Sequence, residues 1–466
     1  MLKQVQNTKW EILLLILFLL PLFWINLNNK HDWGDDFAQY LLQAKCMTGE
    51  SNSGLVSQLN NYGPDSKGLL FSVLLIPATW SDTKEIFYSK ILVTVTLVLV
   101  ALLLQGCIRN KAGKIASIFF TLFFIYNFHI LELKDQILPD FAFLSILLCI
   151  VLLTDTIETS DMSNYFLATV VAIVSVGFRS VGLIAVLALG CTLLVHSKKL
   201  KINSSQLLKV VLILFSAFVI LIIFLSWFQY DKGTVSWYLN LISSHSTIKS
   251  IADNLYHYKE GFKLFYELEL PFWLNMLLLW SIFPAILVGL FRRLFKLWRF
   301  LDFFTVFYLL LILFYPYNNE PTRFLLPLLA CGLIYAVEGF YFVCNLFTSK
   351  YQNTITVLIA LFFVICTVKS TAVALKDEIV YSPYSNSTKE LFKYIEREIP
   401  VSEKISFSKP WALAYFTNHS TVPQSEFKMA RWLIQYKNAS DGEFSVDTLS
   451  FQLTFNNADF SVYKVR

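Results

Sequence analysis

The stretch His31 to Glu50 follows the first long apolar run and carries Asp32, Asp35 and Asp36 within a few residues. A carboxylate beside a hydroxyl can take its proton as the oxygen attacks a carbon. Two adjacent carboxylates could instead hold a divalent cation. An Asp at a helix start also caps the helix and gains from its dipole. Spacing alone leaves all three roles open. A second acid, Asp140, follows Pro139 in a very short turn between two apolar runs, with Asp135 as the fallback for the same role. Its structural alternative is an Asp at a helix start with Pro before it. Two carboxyl sites brought to one face from separate spans would make an acid/base or metal site. Three cations accompany them: Lys67 after a Gly-Pro turn, Arg179 in Gly177-Phe178-Arg179-Ser180, and Arg323 in Pro321-Thr322-Arg323-Phe324-Leu325-Leu326-Pro327. Lys67 and Arg323 could simply snorkel. An arginine at membrane depth is costly and needs a partner. Phosphate is such a partner, since Arg offers a bidentate fork and Lys a point charge. His257 is a lone loop histidine with a smaller claim.

These residues must be held by apolar elements. Of the 466 residues, 56% are hydrophobic and 15% charged, and the mean hydropathy is +0.57. A soluble protein would carry about 25% charged residues, so the chain reads as a polytopic membrane protein. Spans of about 20 apolar residues are expected at about 11–27, 86–106, 115–133, 138–154, 165–178, 180–195, 207–229, 270–291, 300–315, 323–347 and 353–375. The basic clusters at Lys3 and Lys9, Arg109 to Lys114, Lys198 to Lys201 and Arg292 to Arg299 then all fall on the cytoplasmic side. As one helix, 165–195 would run about 45 Å and reverse that parity. Two short passes or a re-entrant pair preserve it, with a break at Arg179. The acidic cluster and the tail then face outward.

The first outer loop, 28–84, is large and carries the helix from Asp35, expected to be amphipathic and to lie along a membrane face. The tail, 377–466, changes composition and reads as a small soluble α/β domain: a helix near 386–398, a strand at 404–408, a helix at 410–417, a helix near 426–437, and strands near 448–455 and 459–465. Residues 1–376 form the transmembrane part. Six of the seven cysteines lie in or beside apolar runs, so the expectation is small apolar packing residues without a disulfide framework.

Together the pieces resemble the GT-C superfamily of integral-membrane glycosyltransferases, nearest the protein O-mannosyltransferase and aminoarabinose-transferase branch. That pattern has an acidic pair followed by an aromatic in a large first outer loop, matched by Trp33-Gly34-Asp35-Asp36-Phe37-Ala38-Gln39-Tyr40. Asp35 takes the place of the base, and Asp36 stands where Glu is usual. Lys67-Gly68-Leu69 matches a Lys-Pro-Pro-Leu element without its prolines. Pro139-Asp140 matches a second acid before the fourth span, and Arg323 to Pro327 matches the Arg-aromatic-Leu-Leu-Pro opening of a late span.

The resemblance implies a GT-C-like helical membrane protein of about 11 transmembrane helices with a small C-terminal α/β extracytoplasmic domain. It implies an inverting glycosyltransferase of the cell envelope. The donor is a sugar on a polyprenyl phosphate, and the acceptor is a glycan, lipid or protein hydroxyl. Lys67, Arg179 and Arg323 would hold the phosphate, and Asp35 would act as base, supported by Asp36 and Asp140. No cofactor is required, although Asp35, Asp36 and Asp140 could hold a divalent metal. No nucleic-acid partner is implied. The expected location is a bacterial inner membrane with the site facing the periplasm. The rival reading is a transporter or lipid flippase using Arg179 and Asp140 as a substrate path. Against it, the sequence has no visible inverted repeat. A ligase of whole lipid-linked glycans and a non-catalytic membrane protein presenting the tail are further alternatives.

Overall fold

The computed structural model describes residues 9–49, 68–81, 83–155, 162–196, 248–266, 270–295, 298–315, 321–347, 352–376, 382–437 and 451–465. In chain order its helices are α1 (Lys9–Leu19), α2 (Asp35–Met47), α3 (Leu69–Thr79), α4 (Glu85–Ala112), α5 (Lys114–Ile125), α6 (Phe128–Asp135), α7 (Asp140–Asp155), α8 (Met162–Phe178), α9 (Gly182–His196), α10 (Ile248–Tyr266), α11 (Phe272–Leu294), α12 (Phe300–Phe314), α13 (Pro321–Phe347) and α14 (Gln352–Lys376). The tail adds α15 (Asn386–Glu398), β1 (Ile405–Phe407), α16 (Pro410–Thr417), β2 (Thr421–Pro423), β3 (Trp432–Tyr436), β4 (Phe451–Asn456) and β5 (Phe460–Val465). Helices lie at each expected span except 207–229, which falls outside the described residues. Among the described residues, α4, α11 and α13 are each long and apolar enough to cross a membrane, and the bent pair α5–α6 makes a fourth if it is one span. The chain is an integral, multi-pass membrane protein.

The chain forms two compact units. The first comprises Met1–Asn26, Val93–Lys134 and Pro139–Asp377. It is built from apolar helices whose buried faces are Leu, Ile, Phe and Ala. The 59° bend between α5 and α6 occurs at Tyr126 and Asn127. The Asn127 Oδ1 accepts the His129 N–H at 3.0 Å and starts the new helix, while its Nδ2 donates to the Phe265 carbonyl at 2.7 Å. The polar side chain thus supplies the partners that an interrupted helix needs. The expected break in 165–195 lies between Phe178 and Gly182. There the Arg179 N–H donates to the Ser175 carbonyl at 3.1 Å and the Gly182 N–H to the Arg179 carbonyl at 2.8 Å.

The second unit comprises Leu27–Leu92, Asp135–Leu138 and Glu378–Arg466, so the tail shares it with the segment after the first apolar helix. Its sheet has the order β2-β1-β3-β5-β4. The β1 strand runs parallel to β2 and β3, and β5 antiparallel to β3 and β4. Ile405, Phe407, Trp432, Ile434, Phe460 and Val462 of the sheet pack on Leu391, Ile395 and Ile399 at the helical spacing of α15. Ser385 caps α15, accepting the Thr388 N–H at 3.2 Å.

One expected helix, near 426–437, is instead a short 3-10 turn (Gln424–Met429) followed by the strand β3. The aromatic and β-branched run Trp432-Leu433-Ile434 occupies the centre of the sheet, where both faces are covered and a continuous apolar run fits a strand. A further helix, α3, lies within 28–84, where the sequence pattern reads as loop. Its apolar residues pack on α2, with Tyr40 edge-on to Phe71 at 5.0 Å and the Ser72 hydroxyl donating to the Gln43 Oε1 at 2.9 Å. All eight residues from Phe37 to Ala44 are buried, Gln39 and Gln43 included. Over those two turns α2 is therefore a packed helix rather than one with an outward stripe.

Candidate active site

In the first unit three sequence-distant candidates meet. Asp140 is the first residue of α7 and is 2% exposed. Its Oδ1 accepts from Arg179 in the α8–α9 break, and its Oδ2 from the Arg323 Nε at 3.2 Å. The backbone explains each placement. Pro139 and Asp140 open α7, with the Phe143 N–H donating to the Pro139 carbonyl at 2.9 Å. Pro321 occupies the first position of α13 and puts Arg323 in its first turn. The α8–α9 turn is tight because residue 182 is glycine. A Cβ there would lie 2.5 Å from the Ser175 carbonyl carbon and the Val176 nitrogen, both backbone atoms. The Arg179 guanidinium also lies 5.8 Å from the Phe324 ring centroid, a cation–π distance. Each carboxylate oxygen thus takes one guanidinium. Two arginines and one aspartate carry a net charge of +1, suited to an anion such as a phosphate.

The second unit holds Asp35, Asp36 and Asp135. Gly34 is the N-cap of α2, and Asp35 and Asp36 are its first two residues, where the dipole favours negative charge. The Asp35 Oδ1 also accepts the Ala412 N–H at 3.0 Å. Ala412 lies in the first turn of α16, whose own N-cap, Lys409, makes no side-chain cap. Asp35 therefore caps a helix of the tail from the first turn of α2. Trp33 lies beside it in an aromatic nest of Phe392, Phe407, Phe416 and Phe460, with ring centroids 5.2–6.3 Å away. Phe37 packs on Tyr415 and stacks on His31 at 3.7 Å. His31 Nδ1 pairs with Asp32 Oδ1 at 2.7 Å, and the Gly34 N–H donates to the same oxygen at 2.8 Å. Burial works against the Asp32 carboxylate, but the hydrogen bond and charge of His31, with the Gly34 N–H, outweigh it and hold its pKa below the ordinary value.

Asp135 pairs with Lys90 at 2.6 Å, and the Lys90 ammonium, fully buried in α4, also donates to Asn28 at 3.2 Å. Lys90 is a site candidate that sequence reasoning passed over. Its signal was a single lysine in the apolar run after Ile86. Another is the trio of Lys45, Glu85 and Tyr415. Lys45 pairs with Glu85 at 2.8 Å, and the Tyr415 hydroxyl donates to the same carboxylate. Burial, reinforced by Glu85, pushes the Tyr415 phenol well above its ordinary pKa.

The structure thus brings Asp140, Arg179 and Arg323 together and sets Asp35, Asp36 and Asp135 in the other unit. His257 is half-buried on the helix α10 rather than in a loop. Lys67 lies outside the described residues. Among the described residues, no three His, Cys, Asp or Glu side chains converge as metal ligands.

No protein-family model matches the chain, and no curated protein matches its sequence. Its structure does have likenesses. ArnT from Cupriavidus metallidurans, in structures bound to undecaprenyl phosphate and in the apo state, aligns over 98% of both chains with TM-scores of 0.57 and 0.58 at 11% identity. The oligosaccharyltransferase of Archaeoglobus fulgidus, in complex with Zn and sulfate, aligns over 91% of this chain and 68% of its own with a TM-score of 0.51 at 12% identity. The chain therefore shares the fold of these two proteins.

Proposed function

We propose that this protein is an integral-membrane glycosyltransferase that moves a sugar from a polyprenyl-phosphate donor to an acceptor hydroxyl on the extracytoplasmic face. The observation that carries the reading is the arginine pair on Asp140, buried in a fold like that of ArnT, which has been seen with undecaprenyl phosphate bound. Arg179 and Arg323 hold the phosphate that links lipid and sugar. Asp140 orients both guanidiniums, and Lys67 joins them by its place in the resemblance.

Asp35 is the base. The acceptor oxygen forms its bond to the anomeric carbon as the bond from that carbon to the phosphate oxygen breaks. The acceptor proton passes to the Asp35 carboxylate, and polyprenyl phosphate departs with the bonding electrons. One displacement inverts the anomeric centre. The leaving phosphate needs no strong acid because the arginines stabilise its charge. Residues 1–376 form the transmembrane catalytic part and 377–466 a small extracytoplasmic domain, in a bacterial inner membrane with the site toward the periplasm.

The test is transfer from a radiolabelled polyprenyl-phosphate sugar in membranes carrying wild type, Asp35→Asn or Arg323→Gln at equal expression. Wild type transfers label, and both variants fall by two or more orders of magnitude, about the range for loss of a base or of a phosphate clamp. Full activity of Asp35→Asn would remove the base assignment. Absence of transfer across a panel of lipid-phosphate sugars, with movement of lipid phosphate across wild-type vesicles, would replace the enzyme with a transporter.

A further inference from the structure

The buried face of α10 carries Asn254, Tyr258, Gly261 and Phe265 at helical spacing. Asn254 ties the helix to the end of α12, its Nδ2 donating to the carbonyls of Leu313 at 2.9 Å and Tyr315 at 2.7 Å. Gly261 rests on the first turn of α13: a Cβ there would lie 2.8 Å from the Pro321 Cβ and 3.1 Å from the Leu325 Cδ1. Arg323 lies between those two contact residues. Tyr258 sits between Asn254 and Gly261 on the same face and is 5% exposed.

On α12, the Tyr308 hydroxyl donates to the carbonyl of Phe324 at 2.8 Å. Phe324 follows Arg323 in the chain, and its ring lies against Arg179. The charged and polar groups whose fields reach Tyr308 include Arg179, Asp140, Tyr258 and Cys331. Tyr258 thus lies near Tyr308, on the helix face that packs through Gly261 against the first turn of α13, the turn that carries Arg323. Yet its hydroxyl, unlike that of Tyr308, has no hydrogen-bond partner among the described residues. A buried hydroxyl without a partner is costly, and native interiors rarely keep one without a ligand or water to satisfy it.

We infer that the Tyr258 hydroxyl is a donor to the phosphate group held by Arg179 and Arg323. The inference rests on the phosphate reading of that cluster. Two guanidiniums balanced by Asp140 supply the charge. A neutral phenol adds a directional hydrogen bond to a phosphate oxygen without further charge. Tyr258 is therefore a binding residue for the phosphate and takes no part in proton transfer.

The test uses the purified full chain as wild type, Tyr258→Phe and Tyr256→Phe, the last an exposed control on the same turn. Binding of undecaprenyl phosphate, of undecaprenol and of inorganic phosphate is read by ligand-dependent thermal shift, alongside the melting temperature without ligand. Wild type and Tyr256→Phe bind undecaprenyl phosphate in preference to undecaprenol. Tyr258→Phe weakens that binding by about ten-fold or more, leaves undecaprenol unchanged, and melts without ligand at the wild-type temperature or above. Equal affinity of Tyr258→Phe and wild type for undecaprenyl phosphate overturns the inference and leaves the phosphate reading standing. Absence of any wild-type preference for the phosphate over the alcohol overturns both. A Tyr258-dependent shift produced equally by inorganic phosphate overturns the assignment to a lipid headgroup.

Discussion

Replacing Asp140 with Asn keeps the shape of the side chain and removes its charge, which isolates what the carboxylate contributes. The carboxyl is 2% exposed, and each guanidinium side chain 12% exposed, so solvent screens the cluster little. Both oxygens are engaged: Oδ1 by Arg179 and Oδ2 by the Arg323 Nε at 3.2 Å. In the Asp140→Asn variant one oxygen becomes an NH2 group that faces a guanidinium N–H, donor against donor. Breaking a buried ion pair from one side costs about 3–5 kcal/mol, because the remaining charge stays buried and uncompensated. The expected outcome is destabilisation of that order, read as a lower melting temperature of the purified protein. Arg323→Gln measured alone and with Asp140→Asn completes a double-mutant cycle. If the carboxylate holds the arginine, the double variant loses less than the sum of the singles by about 1.5–3 kcal/mol, the range for a hydrogen bond to a charged group. Strictly additive losses, or an unchanged melting temperature for Asp140→Asn, would refute the claim that Asp140 positions the arginines.

Asp35→Ala removes the only side-chain cap on α16 that the described residues provide, and should cost about 1 kcal/mol of stability, measured as increased proteolysis at α16. Asp35→Asn, which retains an acceptor, should restore most of that stability but not transfer. Trp33→Ala empties the aromatic nest of Phe392, Phe407, Phe416 and Phe460 and should cost about 3–5 kcal/mol; a melting temperature within a degree of wild type would show that Trp33 does not hold the loop there. Gly182→Val presses a side chain onto backbone atoms of residues 175 and 176, so the α8–α9 turn must open; donor binding should fall even though residue 182 touches no charged group. The Tyr415 phenol stays protonated in the folded protein above its ordinary value of 10.0. Above about pH 10 the unfolded chain releases that proton and the folded chain keeps it. Stability therefore falls with rising pH, by up to about 1.4 kcal/mol per unit from this group. Tyr415→Phe should show a shallower alkaline decline in melting temperature, and an identical decline would refute the assignment.

Much of the helical frame was legible because a membrane span is a local property. About 20 apolar residues suffice to mark one, and α4, α11 and α13 announce themselves in this way, while Pro139, Pro321 and the Gly177-Phe178-Arg179-Ser180 interruption mark helix ends by local backbone chemistry. Sequence also made Asp35, Asp140, Arg179 and Arg323 candidates, since charges beside apolar spans need reasons to be there. Local pattern failed where packing outweighs propensity. The run at Trp432 became a strand because β1 and β5 cover it on both edges, and the apolar helix α3 lay unrecognised within a loop. Partnerships were the least legible. Nothing in the spacing joins Arg179 to Arg323 on the two oxygens of Asp140, Asp35 to the first turn of α16, or Asp135 to the buried Lys90. An ion pair or a cap across tens to hundreds of residues depends on how helices pack, and that is decided by the sum of many buried contacts rather than by the residues that meet.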